Sequence, residues 1–403
     1  MKNKPSVIMM GLGYIGLPTA ALIASRGLKV TGVDIRQGVV DTINKGEIHI
    51  VEPDLDGLVH KVVKEEFLKA STTPVSSDVY LIAVPTPFKG DYEPDLSYVA
   101  SAVKSIIPTL KKGALVILES TSPVGTTRKM EKLIFEERPE LKGNVYLAYC
   151  PERVLPGNIL YELKHNDRAI GGIDEASTKK AIKFYKYFVD GTLHPTNAKT
   201  AEMVKLVENA SRDNQIAFAN ELSIICDKAG INVWDMIALA NKHPRVNILS
   251  PGTGVGGHCI AVDPWFIVSE FPKESPLIRK SREANNYKTE WVLEKIKNKA
   301  LAFKIENFKD PIIACMGLAF KPDIDDLRES PALFVTETLQ KTDYTILAVE
   351  PNLTSSHDRV LVETSEALNQ ADIIVFLVSH SEFKELKLES SKQVLDFCGA
   401  LNS

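Results

Sequence analysis

The run Ser6-Val7-Ile8-Met9-Met10 leads directly into Gly11-Leu12-Gly13-Tyr14-Ile15-Gly16 and then into a helical pattern, and no other segment constrains the fold as strongly. An apolar stretch of that length is one buried strand, and Gly-x-Gly-x-x-Gly between a strand and a helix is the phosphate-binding turn of a Rossmann unit. The three glycines do different things. Gly11 permits the tight turn, Gly13 lets a pyrophosphate approach past Tyr14 and Ile15, and Gly16 lets helix and strand pack closely. Asp34 closes the next predicted strand, 23 residues after Gly11. A carboxylate there accepts from ribose hydroxyls and repels a 2′-phosphate, so NAD is expected over NADP. Arg36, two residues on, is the counter-indication, since it suits that phosphate. A purely structural turn is the bland alternative, which the strand, helix and acid together outweigh.

The same alternation continues, with strands expected at Ser6 to Met10, Lys29 to Asp34, Asp78 to Val84, Ala114 to Glu119 and Val145 to Cys150. This is the pattern of a parallel sheet covered on both faces, whose ligands lie beyond the carboxyl ends of its strands. Thr86 and Thr121 stand at two such ends, to contact cofactor or to cap the following helix. The first unit runs to about Pro195. From Asn197 to Ala229 there is neither glycine nor proline, which reads as one helix long enough to link domains and form a dimer seam. After Trp291 to Ile305 a second alternating unit has strands at Ile312 to Gly317, Thr345 to Val349 and Ile373 to Val378.

Composition narrows the partners. A chain of 403 residues with a net charge of -4 and both signs spread along it offers no basic surface for nucleic acid, so a small-molecule substrate is expected. Five widely spaced cysteines lack metal-site or redox spacing and fit free thiols in the cytoplasm. The basic, apolar N-terminus is interrupted too early by glycine to act as a signal peptide, and no apolar run approaches the ~18 residues of a membrane span.

A second feature carries chemistry. In Gly256-Gly257-His258-Cys259-Ile260-Ala261-Val262-Asp263 a thiol precedes a carboxylate by four positions behind two glycines. That arrangement suits covalent catalysis at a carbonyl; a buried cysteine in a tight turn is the bland reading. Lys205, Asn209 and Arg212 are spaced by four and three residues, hence on one helix face, where they are either a solvated stripe or groups that move a proton and hold an oxyanion. Cys150-Pro151-Glu152-Arg153-Val154-Leu155-Pro156-Gly157 sets a carboxylate and a guanidinium at a sheet edge, as an ordinary surface ion pair or as part of a site. His243, Pro244, Arg245 and Asn247 read as a helix stop or as phosphate and sugar recognition. His258 has no partner spacing for a metal, and no metal is expected.

Taken together these residues resemble the nucleotide-sugar 6-dehydrogenases, the family of UDP-glucose and GDP-mannose dehydrogenases, over nearly the whole chain. Within it, Gly11 to Ala20, Ile50 to Leu55, Cys150 to Gly157, His243 to Ile248 and Gly254 to Asp263 look most like the branch acting on UDP-N-acetyl-D-mannosamine. The UDP-glucose branch usually has Phe-Leu after its Pro-Glu and a serine before its cysteine, where this chain has Arg153-Val154 and His258. The resemblance implies an α/β protein with two Rossmann-like doubly wound domains joined by a central helical dimerisation domain. The expected boundaries are 1–195 for NAD, 196–305 for the centre and 306–403 for the uridine nucleotide. It implies catalytic Cys259 and Lys205, with support from Asn209, Asp263 and Glu152. Substrate contacts are implied for Arg153, Val154, Lys205, Asn209, Arg212, His243, Arg245, Gly256, Lys321 and Arg328.

The implied activity is an NAD-dependent four-electron oxidation at C6 by a homodimer, supplying precursors of bacterial surface polysaccharide. Two alternatives stay open, the UDP-N-acetylglucosamine epimer as substrate and a non-catalytic sensor of nucleotide sugar or NAD. The chain departs from the family at Asp396-Phe397-Cys398-Gly399, where Asp-x-Lys or Asp-x-Arg is usual. It also departs at Thr253, where proline is common, and at Asn214-Gln215 in place of Val-Asn.

Overall fold

A computed structural model describes residues 4–90, 92–155, 157–257, 259–353 and 360–401. His258 and Pro156 lie outside these. The chain divides into two compact units, Met1–Glu208 and Asn209–Ser403.

The strands of the first unit are β1 (Val7–Met10), β2 (Val30–Val33), β3 (Leu68–Ser71), β4 (Val79–Ile82), β5 (Phe88–Lys89), β6 (Glu93–Pro94), β7 (Leu115–Leu118), β8 (Tyr146–Tyr149), β9 (Arg168–Gly172) and β10 (Leu193–Asn197). Eight of them form one sheet in the order β10-β9-β8-β7-β4-β1-β2-β3, and β5 pairs with β6 in a hairpin. Only β8 and β9 run antiparallel within the large sheet. Alternation along β1 divides the core between the two faces. Val7 and Met9 pack with Leu17, Ala20 and Ala24 of the helix Gly16–Ser25. Ile8 and Met10 pack with Val99 and Val103 of Ser97–Ile106 and Met130 and Ile134 of Thr126–Glu137. Burial on both faces is why these strands read as continuous apolar runs.

The second unit repeats the plan with β11 (Ile312–Met316), β12 (Thr345–Val349), β13 (Ile373–Phe376) and β14 (Gln393–Asp396), all parallel in the order β12-β11-β13-β14. Ile313 and Cys315 face Val292, Ile296 and Ala300 of the helix Pro276–Asn307 together with Val335 of Pro331–Leu339. Ala314 and Met316 face Ala367 and Phe383. The doubly wound α/β class expected from the sequence is therefore present in both units.

The long helix spans Ala198–Ala229, 32 residues. Asn197 starts it by accepting from Thr200 N at 3.0 Å, and Gly230 with φ 71° ends it, Ile231 N closing on Cys226 O at 2.9 Å. No helix among the described residues is long and apolar enough to cross a membrane.

Candidate active site

The glycine turn has the shape a dinucleotide needs. Gly11 adopts φ 90°, and a Cβ there would lie 2.5 Å from Ala83 O. A Cβ on Gly16 would lie 1.9 Å from Gly11 O, so turn and helix meet too closely for any side chain. At Gly13 the same construction meets nothing within 4 Å. The turn thus presents bare backbone and a helix N-terminus to open space, which suits a pyrophosphate. Tyr14 is exposed and Ile15 half-buried beside it.

Asp34, at the end of β2, accepts from Leu12 N at 3.2 Å and from Arg36 N and Nε at 3.0 and 3.1 Å. Burial opposes its ionisation, but these hydrogen bonds outweigh burial and hold the carboxyl below its usual range. Arg36 is thereby tied to the acid it was read against. Thr86 and Thr121 lie half-buried at their strand ends, and neither caps a helix: the N-cap positions are Leu96 and Gly125. These residues fit NAD, with Asp34 for the ribose and the turn of Gly11, Gly13 and Gly16 for the phosphates.

Beyond β8 the segment from Glu152 is anchored from within the unit. Glu152 is buried and bonds Arg168 Nη1 through Oε2 at 3.0 Å, while its Oε1 accepts from Arg153 N at 2.7 Å. It is not an ordinary surface pair. Arg153 reaches Glu208 at 2.7 Å and the carbonyl of Asp167. Val154 packs partly on the core. Glu52, given no role by sequence reasoning, accepts from Gly157 N at 2.8 Å and Ile159 N at 2.7 Å, and so clamps the far end of this segment. The family-like stretch Ile50 to Leu55 was its only signal.

Glu202 carried no signal in the sequence. Fully buried on the long helix, it accepts from Gly125 N and Thr127 N at 2.6 and 2.7 Å and satisfies the first turn of Thr126–Glu137. Lys205 is half-buried on that helix.

In the second unit the thiol stands at a helix entrance. Cys259 is exposed, and its carbonyl accepts from Asp263 N at 2.8 Å and Val262 N at 3.1 Å, which sets Asp263 as the first residue of the helix Asp263–Glu270. Asp263 is buried and takes a 2.5 Å hydrogen bond from Asn209 Nδ2. The glycines before the thiol are held by the segment carrying the two C-terminal basic candidates. A Cβ on Gly256 would lie 2.3 Å from Glu329 O and 2.8 Å from Pro331 Cδ, and Gly257 N donates to Arg328 O at 3.1 Å. The structure therefore brings Gly256 beside the stretch that begins at Phe320-Lys321 and includes Arg328. Lys321 is half-buried with its ammonium 5.8 Å from the Phe320 ring, and Arg328 is exposed and bonded to Asp326.

Two buried networks support this loop. Asp213 pairs with Arg282 at 2.6 Å and with Asn285 at 2.7 Å, Asn285 accepts from Asn220, and Asn220 accepts from Gly252 N at 2.9 Å. Glu350, at the end of β12, accepts from Leu318 N and Ala319 N at 2.7 and 2.9 Å and from His380 at 3.0 Å. His243 and Arg245 are exposed on a loop closed by Asn241, which exchanges hydrogen bonds with Ile248 N and O at 2.7 and 2.9 Å. Arg212 is exposed as well. No cluster of metal-ligating side chains occurs among the described residues.

Comparison with known proteins identifies the family. Residues 5–189 match the NAD binding domain of the UDP-glucose/GDP-mannose dehydrogenase family, 199–287 its central domain and 314–402 its UDP binding domain. UDP-N-acetyl-D-mannosamine dehydrogenase of Campylobacter jejuni is 56% identical, covering 99% of this chain and 100% of the relative. NDP-N-acetyl-D-galactosaminuronic acid dehydrogenase of Ralstonia nicotianae is 51% identical, covering 98% and 96%. The solved UDP-D-ManNAc dehydrogenase of Pyrococcus horikoshii superimposes with a TM-score of 0.89 at 39% identity, covering 99% of this chain and 96% of that one. The chain belongs to the UDP-glucose/GDP-mannose dehydrogenase family and is an NAD-dependent oxidoreductase of nucleotide sugars.

Proposed function

We propose that this chain oxidises C6 of UDP-N-acetyl-D-mannosamine to the carboxylate, using two NAD and one water for each uronate formed. The observation that carries the reading is the entrance to the helix Asp263–Glu270, where an exposed thiol precedes a buried carboxylate that is held by an amide. The near full-length identity to UDP-N-acetyl-D-mannosamine dehydrogenases supports the choice of sugar.

When bound, NAD supplies the hydride acceptor for two successive two-electron oxidations. The Cys259 thiolate adds to the C6 aldehyde, and the resulting thiohemiacetal is oxidised to a thioester. Water hydrolyses the thioester, releasing the carboxylate and returning the thiol. Asp263 takes up protons, and Asn209 keeps its carboxylate oriented. Lys205 stabilises the developing oxyanion, and Glu152 accepts the proton of the attacking water. Arg153, Val154, Arg212, His243, Arg245, Gly256, Lys321 and Arg328 contribute to holding the UDP-sugar.

The assembly proposed is a homodimer seated on the long helix. Val207, Phe218 and Ile225 are exposed there, and spacings of eleven and seven residues return to nearly the same face of an α-helix. A cytoplasmic enzyme feeding surface-polysaccharide synthesis is the setting proposed. The test is NADH formation with UDP-N-acetylmannosamine, UDP-N-acetylglucosamine and UDP-glucose, with the uronate measured alongside. Two NADH per uronate from the manno sugar are expected. Faster turnover of the gluco epimer would reassign the substrate, and no turnover of any would favour a sensor.

A further inference from the structure

Beneath Glu152 lies a group of ionisable side chains for which the reaction above has no use. Arg168, on β9, is 2% exposed, Glu119, just past β7, is 3% exposed, and Tyr185 is fully buried. Arg168 donates to Glu152 Oε2 at 3.0 Å through Nη1 and to Leu163 O at 2.9 Å through Nη2, and its guanidinium lies 5.5 Å from the centre of the Tyr185 ring. Tyr185 in turn donates its hydroxyl to Glu119 Oε1 at 2.6 Å. A chain of contacts therefore runs from Glu152 to Arg168, to Tyr185, to Glu119, all within the first unit.

Charge balance decides how this chain works. One guanidinium can neutralise one carboxylate, and Arg168 is bonded to Glu152. Glu119 is left with a phenol on one oxygen and no hydrogen-bond partner among the described residues on the other. A buried carboxylate with so little compensation is driven toward its neutral form. Burial first, and the charge of Glu152 second, push the Glu119 carboxyl up to about 7.

We propose that Arg168 is a positioning residue for Glu152, and that Glu119 serves as a neutral acid which packs Tyr185 against Arg168 without competing for its charge. This rests on the assignment of Glu152 to thioester hydrolysis. The guanidinium holds one oxygen of Glu152 and the Arg153 N–H holds the other, so the carboxylate has a single orientation from which to meet water. Without Arg168 it would lose its counter-charge and be held by the Arg153 N–H alone.

The experiment compares full-length Glu152→Gln, Arg168→Met, Arg168→Lys, Glu119→Leu and Glu119→Gln, after circular dichroism has shown that each is folded. In Arg168→Met, kcat for uronate is expected to fall about a hundredfold while KM for sugar and for NAD changes little, the size of loss that misplacing a reacting group produces. Acyl-enzyme should accumulate on Cys259, visible by mass spectrometry after quenching, as it should in Glu152→Gln. Arg168→Met with Glu152→Gln should be no slower than Glu152→Gln alone, because the two losses are one loss. If Arg168→Met does not fold, Arg168→Lys gives the same reading, since an ammonium lacks the guanidinium fork that bonds Glu152 and Leu163 O together.

Glu119→Leu should lose part of this activity, and Glu119→Gln should restore most of it, the amide being neutral and able to accept from Tyr185. A Glu119→Gln enzyme as slow as Glu119→Leu would overturn the neutral-acid role. Accumulated acyl-enzyme in Glu152→Gln, with folded Arg168 variants turning over normally, would overturn the positioning role alone. Full-rate turnover by Glu152→Gln would overturn both this proposal and the assignment beneath it.

Discussion

Asn209 Nδ2 donates to Asp263 Oδ2 at 2.5 Å, joining the long helix to the first turn of the helix that follows Cys259. The bond spans 54 positions of sequence and leaves Asp263 buried with its orientation fixed. Asp263→Asn keeps an oxygen that can accept from Asn209 but removes the carboxylate proposed to take up protons. Its kcat should fall about a hundredfold or more, within the range for loss of a general base, while affinity for NAD is unchanged. Titration with NAD and steady-state turnover on the same preparation check both halves. Turnover within twofold of the parent would confine Asp263 to the fold.

Cys259→Ser replaces a thiol whose thiolate adds to aldehydes and leaves from thioesters with a hydroxyl that does neither well at neutral pH. The variant should bind NAD and stop at or before the aldehyde. Trapping the aldehyde with a hydroxylamine and looking for uronate by mass spectrometry checks this, and uronate at the parent rate would remove Cys259 from the mechanism.

Asp34→Ala removes the carboxylate that accepts from Leu12 N and Arg36. Arg36, freed from its pair, then faces the ribose with positive charge only. NAD should bind more weakly and the preference over NADP should narrow, because repulsion of a 2′-phosphate has gone. Parallel titrations with both cofactors read it directly. A parent enzyme that already binds NADP more tightly would contradict the reading of this strand end.

The cofactor turn was legible in the sequence because everything it needs is local: one apolar strand, three glycines in six residues and an acid at the next strand end. Residues that hold the rest of the site were not legible, because their partners are distant in sequence. Glu52 meets Gly157 and Ile159 across more than a hundred positions, Glu202 meets Thr127 across 75, and Arg282 meets Asp213 across 69. No spacing rule links such pairs. Four further strands carry no such signal, for a different reason. Leu193–Asn197, at a sheet edge, carries a proline and is largely exposed, Arg168–Gly172 beside it opens on a charged residue and ends in two glycines, and Leu68–Ser71 and Gln393–Asp396 mix polar with apolar residues. Their strand character comes from pairing with an existing sheet, not from an apolar run.

Lys288 makes stability depend on pH in a definite direction. It is buried between Ser223 Oγ at 2.7 Å and the Trp291 ring at 4.1 Å. Burial pulls its ammonium down to about 7, with Asp227 opposing and Lys295 assisting. Between about 7 and the unfolded value near 10.5 the unfolded chain binds the extra proton, so stability should rise with pH across that window and level off below it. Denaturant unfolding at pH 7 and pH 9.5 should show this gain, on the order of 1–3 kcal/mol, and Lys288→Met should lack it. Equal pH slopes in the two proteins would mean that Lys288 is charged where it lies.

Preference for an N-acetyl sugar is the sharpest consequence of the proposed substrate. Arg153 is fixed by Glu208 and the carbonyl of Asp167, so its guanidinium is preorganised, while His243 and Arg245 stand exposed on a loop pinned at both ends. If these groups hold the sugar as proposed, a substrate that lacks the acetamido group forgoes the hydrogen bonds made to it. UDP-N-acetylmannosamine should therefore exceed UDP-glucose in kcat/KM by about a hundredfold, a gap of ~2.7 kcal/mol in transition-state binding. Arg153→Ala should shrink the hundredfold gap by slowing the N-acetyl substrate while leaving UDP-glucose nearly unchanged. Steady-state ratios near unity in the parent enzyme would refute the N-acetyl assignment and leave the dehydrogenase chemistry intact.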